Sequence, residues 1–465
     1  MKVVCAYKYA LDPNSSAELA LYAHCGAARF AFNHMLAHVK AVHDQRAAEQ
    51  SYGLVGDELT PAANWTAYGL RKVWNQRKHQ VAVAADTGEP WWSAYSKEAY
   101  SSGLANLAAA LKNWHASRTG KRGGPAMGFP KFKRRKGDAV GSVRFTTGTI
   151  RLDGRAHVVL PVIGRVKTHE STRKLARRVE AGTARIMAAT IKRERGRWFA
   201  VFTCAVERDD PSARNPTAAV GVDVGVKTLA VTSDGTEYAN SKYLATSLTR
   251  LRRESRRVSR RRGPDRRTGN TGSARWHRAN RARNRVHHRV ADARRDGLHK
   301  LTTELAATYG AIAVEDLNVA GMLRNRRLAR AIADTGFATL RHQLAYKTQW
   351  RGSVFAVADR WYPSSKTCSD CKAVKSKLSL SERVFVCEEC GLVRNRDHNA
   401  ALNLADQVAI LFPEWPGEAK RGRGGDVRPT QRAAADETST RRPPTSGTGT
   451  SRRKQRNHRE SLILR

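Results

Sequence analysis

The pattern of apolar and polar positions changes period several times along the chain, and each change marks an element. Residues 1–10 alternate and predict a short strand. From 16 to 48 the apolar positions Leu21, Cys25, Ala28, Phe32, Leu36 and Val39 fall on one helical stripe. Gly26 interrupts that stripe and predicts a break into two helices joined by a turn, a helix-turn-helix-like arrangement. A further helix spans about Ser96–Ser117, with Leu104, Leu107, Leu111 and Trp114 three or four apart. "GFPKFKRRKG" then reads as an aromatic–basic strand between loops. Ser142 to Cys204 is strand-like with glycines at the turns, predicting a small β-barrel or curled sheet with helices inserted.

"DDPSARNPT" (209–217) reads as a linker, after which "AVGVDVGVKTLAVTSDG" opens a new domain. A turn falls at Ser233-Asp234-Gly235-Thr236. A helical pattern leads into "GAIAVEDLNV" (310–319), which has the continuous apolar run of a buried strand. The last helical pattern begins at Asp397 and closes the folded part near Phe412. Beyond about Gly417 the chain is rich in Arg, Gly, Pro, Thr and Ser, with too few apolar residues to repay ordering, which predicts disorder.

Composition changes this picture mainly through charge. Of 465 residues, 84 are Lys or Arg and 41 are Asp or Glu, a net charge of +43. Such a surplus repels itself unless a polyanion neutralises it, so the expected partner is nucleic acid. No apolar run approaches the ~18 residues of a membrane span, and the N-terminus lacks the apolar region of a signal peptide. The stretch 250–296 carries 18 arginines and few acids. It can be a solvated helix face, but its single sign favours a phosphate-tracking surface. Trp276, His277, His287 and His288 are candidates for contact with bases. Phe129 and Phe132 among the lysines and arginines of 128–136 either meet nucleic acid or anchor the core.

Cys368-x2-Cys371-x15-Cys387-x2-Cys390 has the spacing of a four-thiolate zinc site, each pair forming one knuckle. Gly391 follows the second pair where a tight turn favours glycine. Such a closed site is structural rather than catalytic. It also argues for a reducing, cytoplasmic compartment, where Cys5, Cys25 and Cys204 serve as small core residues.

Three acids stand in unusual places. Asp223 lies within the apolar strand "VGVDVGV", Glu315 ends "AIAVE", and Asp397 begins a helix. Unpaired charges there are costly, and divalent cations such as Mg²⁺ would account for them. Two ions held by such carboxylates can activate water for phosphodiester hydrolysis. Taken singly, an acid at a strand end can belong to a turn, and Asp397 can be a helix cap.

In this order, "GVDVGVKTLAVTSDG", "IAVEDLNVAGM", "SSKTCSDC…CEECG" and "RDHNAALNL" resemble the TnpB (OrfB) family of transposon-encoded, RNA-guided DNA endonucleases, relatives of compact type V CRISPR effectors. "CGAARFAFNHML" and "GFPKFK" are similar to that family's recognition half. The resemblance covers roughly 1–410 and implies a mixed α/β chain: an N-terminal β-barrel with a helical insertion, then a RuvC-like, RNase H-type nuclease fold interrupted by a zinc ribbon. It implies a recognition half at 1–208 with the insertion at about 16–117, and a first nuclease part at 218–345. The ribbon then takes 360–393 and the final nuclease helix 394–412; the remaining 413–465, which the resemblance does not cover, is a disordered basic tail by its composition.

Carried over residue by residue, the resemblance makes Asp223, Glu315 and Asp397 catalytic Mg²⁺ ligands. It makes Cys368, Cys371, Cys387 and Cys390 ligands of a structural Zn²⁺. It further implies a guide RNA from the transposon end, a target-adjacent motif read by the N-terminal half, and cutting of both strands of target DNA. Two positions depart from the family pattern. Lys372 stands where many relatives have Gly, which should affect only a knuckle turn, and Asn395 stands where relatives often carry Asp.

Rival readings fit less well. A catalytically inactive RNA-guided regulator is expected to lose an acid, and all three positions are filled. A tyrosine transposase needs a paired-His motif alternating on a strand, whereas His287 and His288 are adjacent. A zinc-ribbon binding protein leaves the acids in apolar strands unexplained.

Overall fold

The structure is a computed structural model that describes residues 2–419, except 135–140, 147–148, 209–210, 266 and 380. The expected tail from 420 onward lies outside the described residues.

The N-terminal half opens with β1 (Lys2–Asp12) and the helices α1 (Ser15–Ser51), α2 (Ala67–Val81) and α3 (Lys97–Arg118). Strands β2 (Ser142–Phe145), β3 (Arg151–Asp153), β4 (His157–Leu160) and β5 (Gly164–Thr168) follow. Helix α4 (Arg173–Glu180) then leads to β6 (Ala184–Glu194) and β7 (Arg197–Glu207). These strands pair antiparallel in the order β2-β6-β7-β1-β5-β4-β3. Among the described residues that path is open, with β2 and β3 at its two ends. Leu21, Phe32, Met35 and Leu36 of α1 pack with Leu104, Leu107 and Leu111 of α3 and with Phe145 and Phe202 of the sheet.

Two expectations are corrected here. Helix α1 runs unbroken through Gly26. A mid-helix glycine costs only about 1 kcal/mol relative to alanine, and tertiary packing outweighs it. At Gly103 of α3 an added Cβ would stand 2.1 Å from the Ala28 carbonyl oxygen, so the two helices touch backbone to backbone at Ala28, while a Cβ at Gly26 itself would meet only the Arg29 side chain, at 3.8 Å. The aromatic–basic segment around Phe129 is not a strand either. The Asn33 side chain takes the place of a strand partner there, accepting from Lys133 N at 2.7 Å and donating to Lys133 O at 2.9 Å. Phe129 meets Trp114 edge-on at 5.0 Å and anchors the core, whereas Phe132 is exposed.

The C-terminal half begins with β8 (Asn215–Val224), β9 (Thr228–Thr232) and β10 (Glu237–Ala239). Helices α5 (Tyr243–Thr246), α6 (Leu248–Ser259) and α7 (Ala274–Thr308) carry the arginine-rich stretch to β11 (Tyr309–Glu315). Next come α8 (Val319–Met322), α9 (Ala329–Thr335), α10 (Phe337–Trp350) and β12 (Val354–Ala358). The hairpin β13 (Val384–Val386) and β14 (Val393–Asn395) precedes α11 (Arg396–Leu411) and β15 (Glu418–Ala419). The sheet order is β10-β9-β8-β11-β12, with β15 also on β8. The linker is shorter than its composition suggested, because Asn215 already pairs with Tyr309. The folded part also extends past Phe412: Trp415 packs on the core, and β15 pairs with Ala218 and Ala219.

The strands of this sheet are two-faced. Val220, Val222, Ile312 and Val314 face Leu298, Leu301 and Leu305 of α7 and Leu340 and Leu344 of α10. Ala219, Ala311, Ala313, Ala356 and Ala358 face Leu404 and Val408 of α11. Small residues on that face let α11 lie close. An added Cβ at Gly221 would stand 1.9 Å from the Ala401 carbonyl oxygen, so nothing larger fits. Because side chains alternate along a strand, Asp223 continues the series 219, 221, and Glu315 the series 311, 313. Both acids therefore face α11.

Candidate active site and metal centre

Asp223 and Glu315 lie at the C-terminal ends of adjacent parallel strands, one step past the Val222–Val314 pair. Helix α11 runs antiparallel to them. Val408 packs near Ala219 and Ala401 over Gly221, which brings the first turn, with Asp397, toward the acids. Asn395 caps that turn, its side-chain oxygen accepting from Asp397 N at 2.9 Å and His398 N at 3.2 Å. Asp397 thus stands within the first turn and leaves the cap to its neighbour.

Burial pushes the Asp223 carboxyl well above its ordinary range, and the Glu315 and Asp397 charges push the same way. Arg396 and Arg383 oppose the shift, and Arg383 Nη1 lies 3.7 Å from Asp397 Oδ1. Asp316, next to Glu315, is set apart from this group. Arg341 and Arg360 both bind its carboxylate, and their hydrogen bonds hold it below its ordinary range. Of the "ED" pair in the sequence, Glu315 alone is left to the α11 side.

Ser364, which is buried, donates its hydroxyl proton to Glu315 Oε1. It belongs to the segment 363–369 that leads into the first cysteine pair. Residues buried in α11 hold this segment. Asn399 Nδ2 donates to Thr367 O at 2.7 Å, and Asn403 Nδ2 donates to Thr367 O at 2.6 Å and to Ser364 O at 2.9 Å. None of these three was singled out from the sequence. Two asparagines one turn apart in the apolar run "NAALNL" were the available signal, since buried amides need partners.

The four thiols meet as their spacing predicts. Their sulfurs all lie within 4.8 Å of one another, with Cys368–Cys390 at 3.6 Å and Cys371–Cys387 at 3.5 Å. A tetrahedron with Zn–S bonds of about 2.3 Å has edges of about 3.8 Å, so the set fits Zn²⁺. Among the described residues this is the one cluster of three or more His, Cys, Asp or Glu ligand atoms found close enough to hold an ion; the three acids do not close to that degree. Phe385 is fully buried beneath the knuckles.

Lys372 does more than complete a knuckle turn. Its φ of 65° is a left-handed conformation that glycine adopts freely. The strain is offset by its ammonium, which donates to Ser369 O at 2.9 Å and Asn403 Oδ1 at 3.3 Å and pairs with Asp406.

The arginine-rich stretch forms α6 and the start of α7, with Arg252, Arg253, Arg256, Arg257, Arg260, Arg281, Arg285 and Arg289 all exposed. Trp276 and His277 are partly buried, and His277 Nε2 bonds to Thr271 O at 2.8 Å, so both brace the loop before α7. His287 is exposed.

Three family descriptions match the chain: "Helix-turn-helix domain" over residues 1–47, "Probable transposase" over 202–326, and "Cas12f1-like, TNB domain" over 337–404. The chain is 41% identical over 436 residues to "Putative RNA-guided DNA endonuclease Rv2885c" of Mycobacterium tuberculosis, covering 90% of each chain. It is 30% identical over 431 residues to "Putative RNA-guided DNA endonuclease InsQ" of Escherichia coli, covering 88% of this chain and 94% of the other. A solved Cas12f1–sgRNA–target DNA complex superposes with a TM-score of 0.46 at 14% identity, over 87% of this chain and 99% of that one. On the full-length identity to these relatives, this chain belongs to the TnpB (OrfB) family.

Proposed function

We propose that the protein is an RNA-guided, metal-dependent DNA endonuclease associated with a transposon, cleaving target DNA at a RuvC-like site formed by Asp223, Glu315 and Asp397. The observation that carries this reading is the convergence of the three acids. Two continue the α11-facing side of neighbouring strands, the third heads α11, and burial together with the charges of Glu315 and Asp397 raises the Asp223 carboxyl. The strand order β10-β9-β8-β11-β12 supports the RNase H-type assignment, with the first-strand acid at the centre of the sheet. The names of the relatives support the activity, the guide RNA and the DNA target.

Half-buried carboxylates that repel one another are a poor apo arrangement and a good cation site. Mg²⁺, in a pair held by these acids, would supply a water of lowered pKa and Lewis acidity at the scissile phosphate. The chain's own residues do the rest. Asp223 and Glu315 fix the ligand geometry from the rigid sheet, and Asp397 approaches from the helix. Arg383 and Arg396 neutralise part of the acidic charge, and the exposed arginines of α6 and α7 track phosphates. The four thiolates would hold a structural Zn²⁺ that takes no part in the bond-breaking. The guide RNA comes from the transposon end, and the N-terminal half reads the target-adjacent motif.

The experiment is co-expression with the DNA flanking the gene, sequencing of the RNA that co-purifies, and cleavage of a guide-matched plasmid in Mg²⁺. Cutting of the matched plasmid alone supports the reading. Equal cutting of an unmatched plasmid reduces it to an unguided nuclease.

A further inference from the structure

We propose that Ser364, held by Asn403, is a positioning residue through which the four-cysteine knuckle sets the orientation of Glu315. This rests on the reading of Glu315 as a ligand of the catalytic ion. The connection is continuous and buried. Cys368 is flanked by Thr367 and Ser369, and Asn399 of α11 grips both: its Nδ2 donates to Thr367 O at 2.7 Å, and its Oδ1 accepts from Ser369 N at 2.9 Å. One turn along, Asn403 Nδ2 binds Thr367 O at 2.6 Å and Ser364 O at 2.9 Å. Ser364 then donates to Glu315 Oε1. Asn399, Asn403 and Cys368 are each 0% exposed and Ser364 is 2% exposed, so water cannot replace these bonds at low cost.

The geometry has a chemical consequence. A hydroxyl proton on one oxygen of Glu315 fixes its rotamer and leaves the other oxygen free for an ion. The same helix carries Asp397 at its head and the two asparagines that bind the knuckle. A folded knuckle therefore sets the place of the third acid and, through Ser364, the aim of the second. A ribbon that served only to bind nucleic acid needs no buried hydrogen-bond path to a carboxylate on another element.

The test uses the full-length, zinc-loaded protein stripped of RNA and reads the Mg²⁺ concentration at which half of the Mg²⁺-induced rise in Tm is reached. Wild type is compared with Ser364→Ala, Ser364→Thr and Asn403→Ala, with zinc content measured on each. Ser364→Ala is expected to keep its zinc and to need about 10- to 100-fold more Mg²⁺, and Ser364→Thr to restore the wild-type value. Asn403→Ala is expected to shift the Mg²⁺ requirement the same way. A purely structural role for Ser364 lowers Tm at every Mg²⁺ concentration without moving the midpoint, and that result overturns the proposal. So does a wild type with no Mg²⁺ response. Because the readout is ion binding, a protein that binds Mg²⁺ normally yet fails to cut guided targets contradicts the proposed function and leaves this measurement decisive.

Discussion

Asp223 and Glu315 stand side by side on parallel strands, one step beyond the Val222–Val314 pair, and both point toward the helix that carries Asp397. The sheet fixes their Cα positions, so the two carboxylates can part only by rotamer changes. The arrangement costs stability that a bound cation would recover.

Replacing Asp223 separates these two effects. Asp223→Asn is expected to abolish cleavage, by far more than tenfold, or about 1.4 kcal/mol of barrier, while target binding persists. In Mg²⁺-free buffer the same variant is expected to melt above wild type, because one of three mutually repelling charges is gone. That advantage should shrink as Mg²⁺ is added. Cleavage within tenfold of wild type would remove Asp223 from the site.

The knuckles should hold about one zinc per chain by elemental analysis. Four thiolates so close together are tolerable only around a cation, so folding of the hairpin β13–β14 is expected to depend on it. Cys387→Ser should lose the metal and admit proteolysis between 360 and 400. Zinc-free protein that is fully resistant and fully active would refute this.

Much of this site was legible in the sequence because its signals are local. The cysteine spacing states its own geometry, and an acid in an apolar run such as "VGVDVGV" is visible without a fold. Which face Asp223 takes is also implicit, since Gly221 and Ala219 precede it at a period of two. What stayed hidden depends on contacts across long separations. Gly26 reads as a breaker until the apolar stripes on both sides of it are seen to pack in one core with α3. Glu315 and Asp316 look equivalent until Arg341 and Arg360 claim the second. The linker at 209–217 reads as loop until Asn215 meets Tyr309. Lys372 looks like a lone departure at a turn until its contacts with Asn403 and Asp406 appear.

Asn395 gives a smaller, cleaner test. It bonds two amides that α11 would otherwise leave bare. Asn395→Ala is expected to cost about 1 kcal/mol in denaturant unfolding and to loosen Asp397. Asn395→Asp keeps an acceptor at the cap and should recover that stability. An alanine variant as stable as wild type would show that the cap is unimportant.

Lys347 predicts a pH dependence. Burial pulls its ammonium down from 10.5 to about 8, although it donates to His299 O at 2.8 Å and to the hydroxyls of Thr302 and Thr303. Between those two values the unfolded chain holds a proton that the folded chain has released. Stability contributed by this site therefore rises with pH across that window and is lowest below about 8. Lys347→Met should remove this slope, so the stability difference between variant and wild type should change steadily from pH 8 to 10.5. A difference that stays constant across that range would mean that Lys347 titrates normally.

The charge surplus leads to the last prediction. A net +43 exceeds what one DNA groove neutralises, and exposed arginines crowd α6 and α7. Each phosphate neutralised releases counterions, so binding of a folded RNA should weaken steeply with salt, with a log–log slope near −0.9 per neutralised phosphate on duplex segments. Removing arginines changes that slope in a defined way. Replacing Arg252, Arg256 and Arg260 by Gln should flatten it by about one for each phosphate no longer neutralised, and so by at most about three. The substitutions leave buried Glu254 its partner Arg257 at 3.2 Å, so the helix should still fold. Protein made without the transposon end should be less stable and should carry non-specific nucleic acid, since nothing specific offsets the self-repulsion of so basic a chain. Adding that RNA in trans should raise stability and restore guided cutting together. If the slope is unchanged in the triple variant, α6 does not track phosphates. If RNA-free protein is as stable as the RNA-bound form and cuts matched and unmatched plasmids alike, the positive charge serves DNA alone.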